Sequence, residues 1–330
     1  MPVSIKSVVS FKGALGAALV SIGLISPACA ADWPSSTVTI VVPFSPGGTT
    51  DVVGRLIGQK LGEMWGQSVV IDNKLGAGGN IGTGIVAKSA ADGNTILLAS
   101  GSIFTVNPHL YKSLPFDAEK DFIPVTSIAS GPMVVVTSKK VKAKSLQDLI
   151  DQAKAEPKSL NLGSAGLGSQ VHMAGENFMY AGKINMTHVP YRGEAAAYTD
   201  LMAGQIDVVV GNIGAVSSLV GSGRINALAV TSKERATMLP DVPTVSEAGI
   251  PGFENYGWFG FMVPKGTPPE IVKKIRDDTA KVLAMPDIKE RLASQGMAPV
   301  GNTGKEFKKD IQQESKMWAK IIADRNISIN

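Results

Sequence analysis

Short runs of β-branched residues alternate with longer segments of helical periodicity along most of the chain, and this alternation limits the possible folds more than any other feature. The first run, residues 38–42, is apolar almost throughout and stops at Pro43, as in a strand whose sheet carries helices on both faces. A helical pattern follows between Val52 and Met64. We predict further strands over 68–71 and 95–99, with a helix over 80–90 between them. This order is typical of a parallel α/β fold.

A second series of the same kind begins near Met133. We predict its strands over 133–137, 160–163, 186–190, 206–210 and 226–230, and its helices over 145–155, 170–181, 194–203 and, briefly, after Asn212. A Pro- and Gly-rich connection over 237–254 precedes a strand over 258–263 and three helices over 268–284, 286–295 and 304–325. Two series with a helical ending predict two lobes, 31–132 with 256–330 and 133–255, joined by the strands near 133 and 258.

The first thirty residues have the pattern of a secretory signal. Lys6 and Lys12 lead into the uncharged apolar run 13–25, and small residues follow up to Ala30, which predicts cleavage near Ala30 and a periplasmic protein. A lipoprotein acylated at Cys29 is the weaker alternative, because no leucine-like residue stands three positions before it. Cys29 is the only cysteine. The mature chain would therefore have no disulfide, no thiolate nucleophile and no cysteine metal site.

Length and composition indicate a folded globular protein. The chain has 330 residues, of which 44% are hydrophobic and 18% charged, and this is enough for a sizeable core. Aromatic residues make up only 6%, and the net charge of +4 comes without runs of lysine or arginine. We therefore expect no binding to nucleic acid.

The loop over 43–51 is the strongest candidate for a binding site. Gly47 and Gly48 allow a sharp turn and a close approach of the backbone to a ligand. The helix that follows offers unpaired N–H groups and the positive end of its dipole, which together suit an anion. The alternative is a plain turn in which Thr49 or Asp51 caps the helix, and the loop alone does not decide between the two.

A second loop of the same kind spans 163–170, again between a strand and a helix. Ser164 and Ser169 add hydroxyls that can donate to a carboxylate. If the two loops face each other across a cleft, they can hold both ends of a small dianion. Glycines for turns, with Ser169 as an N-cap, are the alternative.

Other motifs exclude several kinds of chemistry. The glycine-rich segment 76–82 misses the G-x-G-x-x-G spacing by one residue and follows the second strand, so a third cleft loop capped by Asn80 is favoured over a nicotinamide cofactor site. His172 and Glu176 share a helical face but are too few for a metal site, although His172 is placed to approach a ligand. A G-x-S-x-G motif and a phosphate-binding P-loop are both absent from the sequence, which disfavours a hydrolase and a nucleotidase.

Three more residues follow strands and are expected at the same edge. Arg192 offers a guanidinium fork for a carboxylate, unless it is solvated or paired with Glu194 or Asp200. Asn212 offers a neutral amide. Trp258 can wall the cleft or pack in the core.

Several segments together resemble one family. They are Trp33-Pro34, residues 41–51 (VVPFSPGGTTD), 73–82 (NKLGAGGNIG), 161–166 (NLGSAG), 188–193 (HVPYRG), 239–244 (LPDVPT) and 258–260 (WFG). Their sequence and order closely resemble the Bug-type solute receptors of tripartite tricarboxylate transporters. The resemblance runs through nearly the whole mature chain.

The resemblance implies an α/β, two-lobed periplasmic binding protein of type II-like architecture, in which each lobe is a mixed, mostly parallel sheet flanked by helices. It implies a hinge, a monomer, and a small organic carboxylate in the cleft: a dicarboxylate or tricarboxylate, an aromatic acid or an acidic amino acid. Membrane components of the transporter are the implied partners, and no catalytic residue, cofactor or metal is implied. Two positions depart from the family pattern, namely Arg192 where lysine is common and Gly211-Asn212 where Asp-Asn is common, and both bear on the distal half of the pocket.

The resemblance and the loop analysis lead to one set of expected ligand contacts. These residues are Phe44, Ser45, Gly47, Gly48, Thr49, Thr50, Asp51, Ala77, Gly78, Ser102, Ser164, Ala165, Gly166, Ser169, Gln170, His172, Arg192, Asn212 and Trp258. The alternatives to a transport receptor are an exported enzyme that acts on an organic acid and a ligand sensor for a membrane signalling partner.

Overall fold

The computed structural model describes residues 33–328, so the predicted signal sequence, its cleavage near Ala30 and Cys29 lie outside the described residues. The strands are β1 (Val38–Val42), β2 (Val69–Asn73), β3 (Thr95–Ser100), β4 (Phe122–Ser138), β5 (Asn161–Ser164), β6 (Thr187–Pro190), β7 (Val208–Asn212), β8 (Ile225–Val230), β9 (Tyr256–Pro264) and β10 (Ala298–Pro299). The helices are α1 (Thr49–Trp65), α2 (Asn80–Ala87), α3 (Gly101–Thr105), α4 (Asn107–Leu110), α5 (Leu146–Ala155), α6 (Gln170–Gly182), α7 (Glu194–Ala203), α8 (Ile213–Gly221), α9 (Pro269–Ala284), α10 (Pro286–Ser294) and α11 (Gly304–Arg325).

The strands form one sheet in the order β2-β1-β3-β9-β4-β7-β5-β6, with β8 and β10 also paired to β4. Pairing is parallel at both ends of the sheet, between β1 and its neighbours β2 and β3 and between β5 and its neighbours β6 and β7. It is antiparallel in the middle, where β4 and β9 lie. The mixed α/β architecture predicted from the sequence is confirmed.

β4 connects the two ends of the sheet. Its first part pairs with β9, from Phe122 opposite Pro264 to Pro132 opposite Tyr256. Its second part, which starts at Met133, pairs with β7 and β8. The proposed division into lobes at residues 133 and 256 stays a prediction.

Separate apolar clusters pack on the two ends of the sheet. One combines β1 and β3 with α1 and α9, and fully buries Ile40, Ile57 and Ile275. Another combines β5 and β7 with α5 and α6, and fully buries Leu162 and Phe178. Because each cluster is large and continuous, each end of the sheet has its own source of stability.

Most predicted elements lie within a few residues of their predicted bounds, and 38–42, 194–203 and 304–325 agree at both ends. The first part of β4 was missed, because Pro124, Ser127, Gly131 and Pro132 interrupt its apolar pattern. The structure accommodates them with two irregularities in the pairing with β9, as expected for proline within a sheet. Within residues 33–328, the helices are too short or too polar to cross a membrane.

Candidate functional site

Four loops that follow strands β1, β2, β5 and β6 converge on one cleft. Its inner part, the inner cleft, has a volume of about 20 Å³. Its outer part, the outer cleft, measures about 550 Å³. Phe44 and Ala165 line both parts, so the two lie next to each other.

The inner cleft combines apolar walls with polar side chains and backbone groups. It is lined by Phe44, Ser45, Gly48, Thr49, Thr50, Ser100, Ala165, Ser169, Gln170, Val171, Gly193, Glu194, Asn212 and Phe259. The outer cleft is lined by Pro43, Phe44, Leu75, Gly76, Ala77, Gly78, Gly79, Tyr111, Ala165, Gly166, Leu167, Pro190, Tyr191 and Arg192. The first turns of both α1 and α6 therefore face the inner cleft.

Asp51 holds the loop before α1 in shape. Its carboxylate accepts hydrogen bonds from the Gly47 N–H at 2.9 Å, the Asn73 amide at 3.0 Å and the Arg55 guanidinium at 2.9 Å. Gly47 has φ of +79°, a conformation that favours glycine. Burial alone would raise the pKa of Asp51, but these hydrogen bonds and the Arg55 charge hold it below its usual value. Asp51 thus anchors the loop and fixes the shape that it presents to the cleft.

Two histidines support the loop before α6. The rings of His172 and His188 stack with centroids 3.9 Å apart. The Gly168 N–H donates to Nδ1 of His172 at 3.1 Å, which places the His172 proton on Nε2, facing the Glu176 carboxylate at 3.6 Å. His188 Nε2 hydrogen bonds with the Ser164 hydroxyl at 2.7 Å. Both rings therefore fix the loop from the side away from the cleft.

Glu194 brings a carboxylate into the inner cleft. It is the first residue of α7 and is only 9% exposed. It accepts hydrogen bonds from the Asn212 amide at 2.9 Å, the Tyr198 hydroxyl at 3.0 Å and the Thr49 hydroxyl at 3.5 Å. Burial raises its pKa, against the opposing effect of these donors.

Loops from opposite sides of the cleft touch directly. A side chain at Gly193 would collide with the Ser45 hydroxyl, so only glycine permits this approach. The Tyr111 hydroxyl donates to the Leu167 carbonyl at 3.0 Å. The Gln170 amide forms two hydrogen bonds with the backbone of Trp258, at 2.9 and 3.0 Å. In this arrangement the inner cleft is narrow, with room for about one water-sized molecule.

Metal binding and nucleophilic chemistry each need a specific combination of side chains. In the described part of the chain, no group of three potential metal-ligating side chains comes together. The Ser164–His188 pair resembles a nucleophile with its base, but neither residue lines the inner or the outer cleft. The arrangement therefore offers hydrogen-bond donors and shape rather than an activated nucleophile.

Comparison with known proteins places the chain in a family. The model of the tripartite tricarboxylate transporter family receptor matches residues 53–327. The chain belongs to this receptor family. Protein BugT of Bordetella pertussis is 37% identical over 311 residues, which cover 94% of the receptor and 95% of BugT.

Solved structures of similar proteins share the fold of the receptor. R. palustris Rpa4515 with adipate is 37% identical and superposes with a TM-score of 0.87, over 90% of the receptor and 99% of that chain. MatC (Rpa3494) from Rhodopseudomonas palustris with bound malate is 32% identical with a TM-score of 0.83, over 88% of the receptor and 99% of that chain. The family expected from the sequence motifs is confirmed.

Most of the expected ligand contacts of the receptor line the cleft. Those in the lining are Phe44, Ser45, Gly48, Thr49, Thr50, Ala77, Gly78, Ala165, Gly166, Ser169, Gln170, Arg192 and Asn212. Those outside it are Gly47, Asp51, Ser102, Ser164, His172 and Trp258. Arg192 is exposed at the outer cleft. The two carboxylates expected to pair with it have other partners. Glu194 accepts from Asn212, and Asp200 accepts from the Tyr191 hydroxyl at 2.7 Å.

Trp258 illustrates why some expected contacts lie outside the lining. Its indole N–H donates to Glu314 on α11, and its ring packs edge-on against Phe307. The Trp258 side chain therefore packs against α11, and the next residue, Phe259, lines the inner cleft.

Sequence reasoning missed Glu194 as a cleft residue. An acidic residue in the first turn of a helix is common because it complements the helix dipole. Glu194 was therefore considered only as a surface partner for Arg192. The position of Glu194 could have indicated a cleft residue, because it directly follows the turn at Gly193 and the carboxyl end of a strand. Tyr111 was missed because α4 was not predicted.

Proposed function

We propose that this receptor is a periplasmic solute-binding protein that captures a small organic carboxylate in its cleft and delivers it to the membrane components of a tripartite transporter. The observation that carries the proposal is the pair of helix N-termini, α1 and α6, that line one inner cleft. Two similar structures contain the dicarboxylates adipate and malate. Carboxylate is thus the ligand class that both the relatives and the local chemistry favour.

The donors around the cleft suit a carboxylate. Thr50 is in the first turn of α1 and Val171 in the first turn of α6, where backbone N–H groups lack helical acceptors. The hydroxyls of Ser45 and Ser100 add donors in the same wall. Arg192 supplies a positive charge at the outer cleft. Each helix dipole contributes about 0.3–1 kcal/mol to anion binding, and more in a dry site.

The residues of the inner cleft favour binding of a ligand without its chemical conversion. Catalysis of proton transfer or acyl transfer needs a positioned base with a nucleophile or a partner acid. The inner cleft offers one carboxylate, that of Glu194, and the hydroxyls beside it lack a histidine or lysine in the lining. We therefore infer that the bound acid leaves the cleft unchanged.

A ligand screen tests this function. Thermal unfolding of the purified protein is measured with dicarboxylates, tricarboxylates, aromatic acids and amino acids at high concentration. A true ligand stabilises the folded state by about 2.7 kcal/mol at a hundredfold excess over its dissociation constant, and should be recovered intact by mass spectrometry. The matched control is the neutral amide of the best acid, which should stabilise much less. Failure of every carboxylate to raise the unfolding temperature, or conversion of the bound acid, would contradict the proposal.

A further inference from the structure

The inner cleft contains a single ionisable side chain, that of Glu194, in the part of the chain that the structure describes. Its lining over these residues includes no lysine, arginine or histidine. The Glu194 side chain is buried, so solvent does little to weaken its electrostatic interactions. An anion that enters this space therefore meets a carboxyl group without a cation to balance it.

Neutral groups face Glu194 from each element packed against it. They are the hydroxyl of Thr49 from α1, the hydroxyl of Tyr198 from α7 and the amide of Asn212 at the end of β7. Tyr198 is the titratable group among them, and burial raises its pKa well above the usual value, so it stays neutral. The remaining lining residues are neutral as well.

The proposed function brings a second carboxyl group to this point. It places the ligand carboxylate at the N-termini of α1 and α6, where Thr50 and Val171 line the inner cleft together with Glu194. Thr49, the first residue of α1, donates to Glu194 through its hydroxyl. In a space of about 20 Å³, a carboxylate at these N-termini therefore lies next to the Glu194 carboxyl group.

Two neighbouring carboxyl groups in a buried site do not both stay ionised. Their like charges repel strongly where solvent is excluded, so the pair binds one proton. A protonated carboxyl group has an O–H donor, and its hydrogen bond to a carboxylate is short and charge-assisted. Protonation of one partner thus replaces a repulsion with an attraction. Burial acts in the same direction on Glu194, because it raises the pKa of this group.

The hydrogen bonds of Glu194 leave room for the proton on one oxygen. Oε2 accepts from the hydroxyls of Tyr198 and Thr49, at 3.0 and 3.5 Å. Oε1 accepts one side-chain hydrogen bond, from Asn212 at 2.9 Å, and its second lone pair can hold a proton. The ligand is the partner that stays ionised, because the N–H groups of two helix N-termini stabilise its charge.

We propose that Glu194 is protonated when the acid is bound and donates its O–H to the ligand carboxylate in the inner cleft. The proton is taken up from solvent on binding where the free protein holds Glu194 ionised, and is already in place where it does not. The inference rests on the proposed function, because it assumes that the cleft binds small carboxylates. It adds to that function a specific donor that depends on a proton.

Infrared spectroscopy of the complex tests the protonation. The probes are adipate, malate, glutamate and benzoate, and the acid that binds most tightly in calorimetry is used. At about pH 8, well above the ordinary glutamate pKa of about 4.3, the complex should show the carbonyl band of a protonated carboxyl group. The band should be absent from the Glu194→Gln complex. A complex that loses no such band in Glu194→Gln, or a band that shifts when the carboxyl carbon of the acid is isotopically labelled, would overturn the proposal.

The affinity as a function of pH reports the same proton. If the free protein holds Glu194 ionised, the parent should bind the acid up to about tenfold more weakly per pH unit as the pH rises above the pKa of Glu194 in the free protein. Glu194→Gln should lack this slope. If Glu194 is protonated before the acid is added, the infrared band is present in the free protein and both profiles are flat. A flat parent profile without that band in the free protein would contradict the proposal.

The hydrogen bond to the ligand is tested by two variants of similar size. Glu194→Gln offers an amide N–H in place of the O–H, whereas Glu194→Met offers no donor. We expect Glu194→Met to bind the acid about tenfold or more weakly than Glu194→Gln. Equal affinities would show that residue 194 does not donate to the ligand.

The matched control is Glu270→Gln, which removes a carboxylate from the exposed first turn of α9. It should leave the infrared band, the pH profile and the affinity as in the parent. If none of the acids binds at any pH, the proposed function itself fails, and that outcome is distinct from a receptor that binds an acid without the proton.

Discussion

Polar side chains near the cleft divide into those that shape the loops and those that face the ligand space. Asp51, Asn73 and His172 direct their hydrogen bonds into the loops and lie behind the cleft wall. Ser45, Thr50 and the first turn of α6 remain in the lining. A residue of the right chemical type in a binding loop thus serves the loop or the ligand, according to the direction of its side chain.

Gly48 offers a direct test of the inner cleft. Its backbone is extended, with φ of −77°, and an added Cβ would contact only the Ser45 carbonyl at an ordinary 3.5 Å. We expect Gly48→Val to fold with nearly unchanged stability. Its side chain should fill a cavity of about 20 Å³. Overpacking of about 1–3 kcal/mol would weaken carboxylate binding roughly 5- to 150-fold, as measured by calorimetry.

Gly221→Val provides the control, because Gly221 ends α8 with open space around it. Its ligand affinity should match that of the parent. Equal affinity of Gly48→Val and the parent protein would place the ligand elsewhere in the structure.

At the level of helices and loops, α6 connects the cleft to the rest of the molecule. Its first turn faces the inner cleft, its Gln170 side chain bonds to β9, and its Glu176 pairs with Arg325 at the end of α11 at 2.9 Å. The stacked histidines lie between the Glu176 pair and the binding loop. A change in the protonation of His188 therefore acts on the loop that leads into α6.

The histidine pair predicts a pH dependence of stability. Burial and, to a smaller extent, the neighbouring His172 lower the pKa of His188 to about 3, although Glu176 opposes the shift. The unfolded chain, with a histidine pKa of about 6.5, then binds a proton that the folded protein excludes. This contribution to the free energy of unfolding is fully present above about pH 6.5. It decreases by up to about 1.4 kcal/mol per pH unit as the pH falls toward the pKa of His188 in the folded protein.

Urea unfolding of the parent and of His188→Gln between about pH 7.5 and pH 5 measures this dependence. The stability difference between the two proteins should shrink as the pH falls. His109→Gln, at an exposed position on α4, serves as the control and should alter the slope less. A difference that stays constant over this range would show that His188 is not kept neutral by its surroundings.

For the whole molecule, the contacts across the cleft oppose entry of a ligand. Tyr111 bonds to Leu167 and Gln170 bonds to Trp258. The inner cleft, at about 20 Å³, is smaller than a carboxylic acid with several carbons. Ligand entry to the inner cleft therefore requires the loops to separate, and β4 and β9 are the strands about which the proposed lobes can rotate.

Small-angle scattering tests this closure. We expect the radius of gyration of the ligand-free protein to exceed the value calculated for the closed arrangement, and saturation with the best acid to lower it to that value. The neutral amide of the acid, added at equal concentration, should leave the radius unchanged. A radius that is the same with and without the acid would contradict the hinge.

Local periodicity was enough to predict most strands and helices, because the spacing of apolar residues depends only on which face of an element is buried. Glycine, serine and threonine residues between strands and helices indicated the loops of the cleft, because their preference for turns and helix N-termini is also local. The antiparallel centre of the sheet was harder to predict from the sequence. Prolines interrupt the apolar pattern in the first part of β4, and the sheet tolerates them only through irregular pairing with β9.

The direction of individual side chains depended instead on partners far away in the chain. The Trp258 indole bonds to Glu314 and the His172 ring stacks on His188, and both are drawn away from the cleft by contacts that no local pattern contains. Glu194 enters it because Thr49, Tyr198 and Asn212 supply donors for a buried carboxylate. Such a charge is stable only where several elements together replace its water, so its position follows from the packing of the whole molecule.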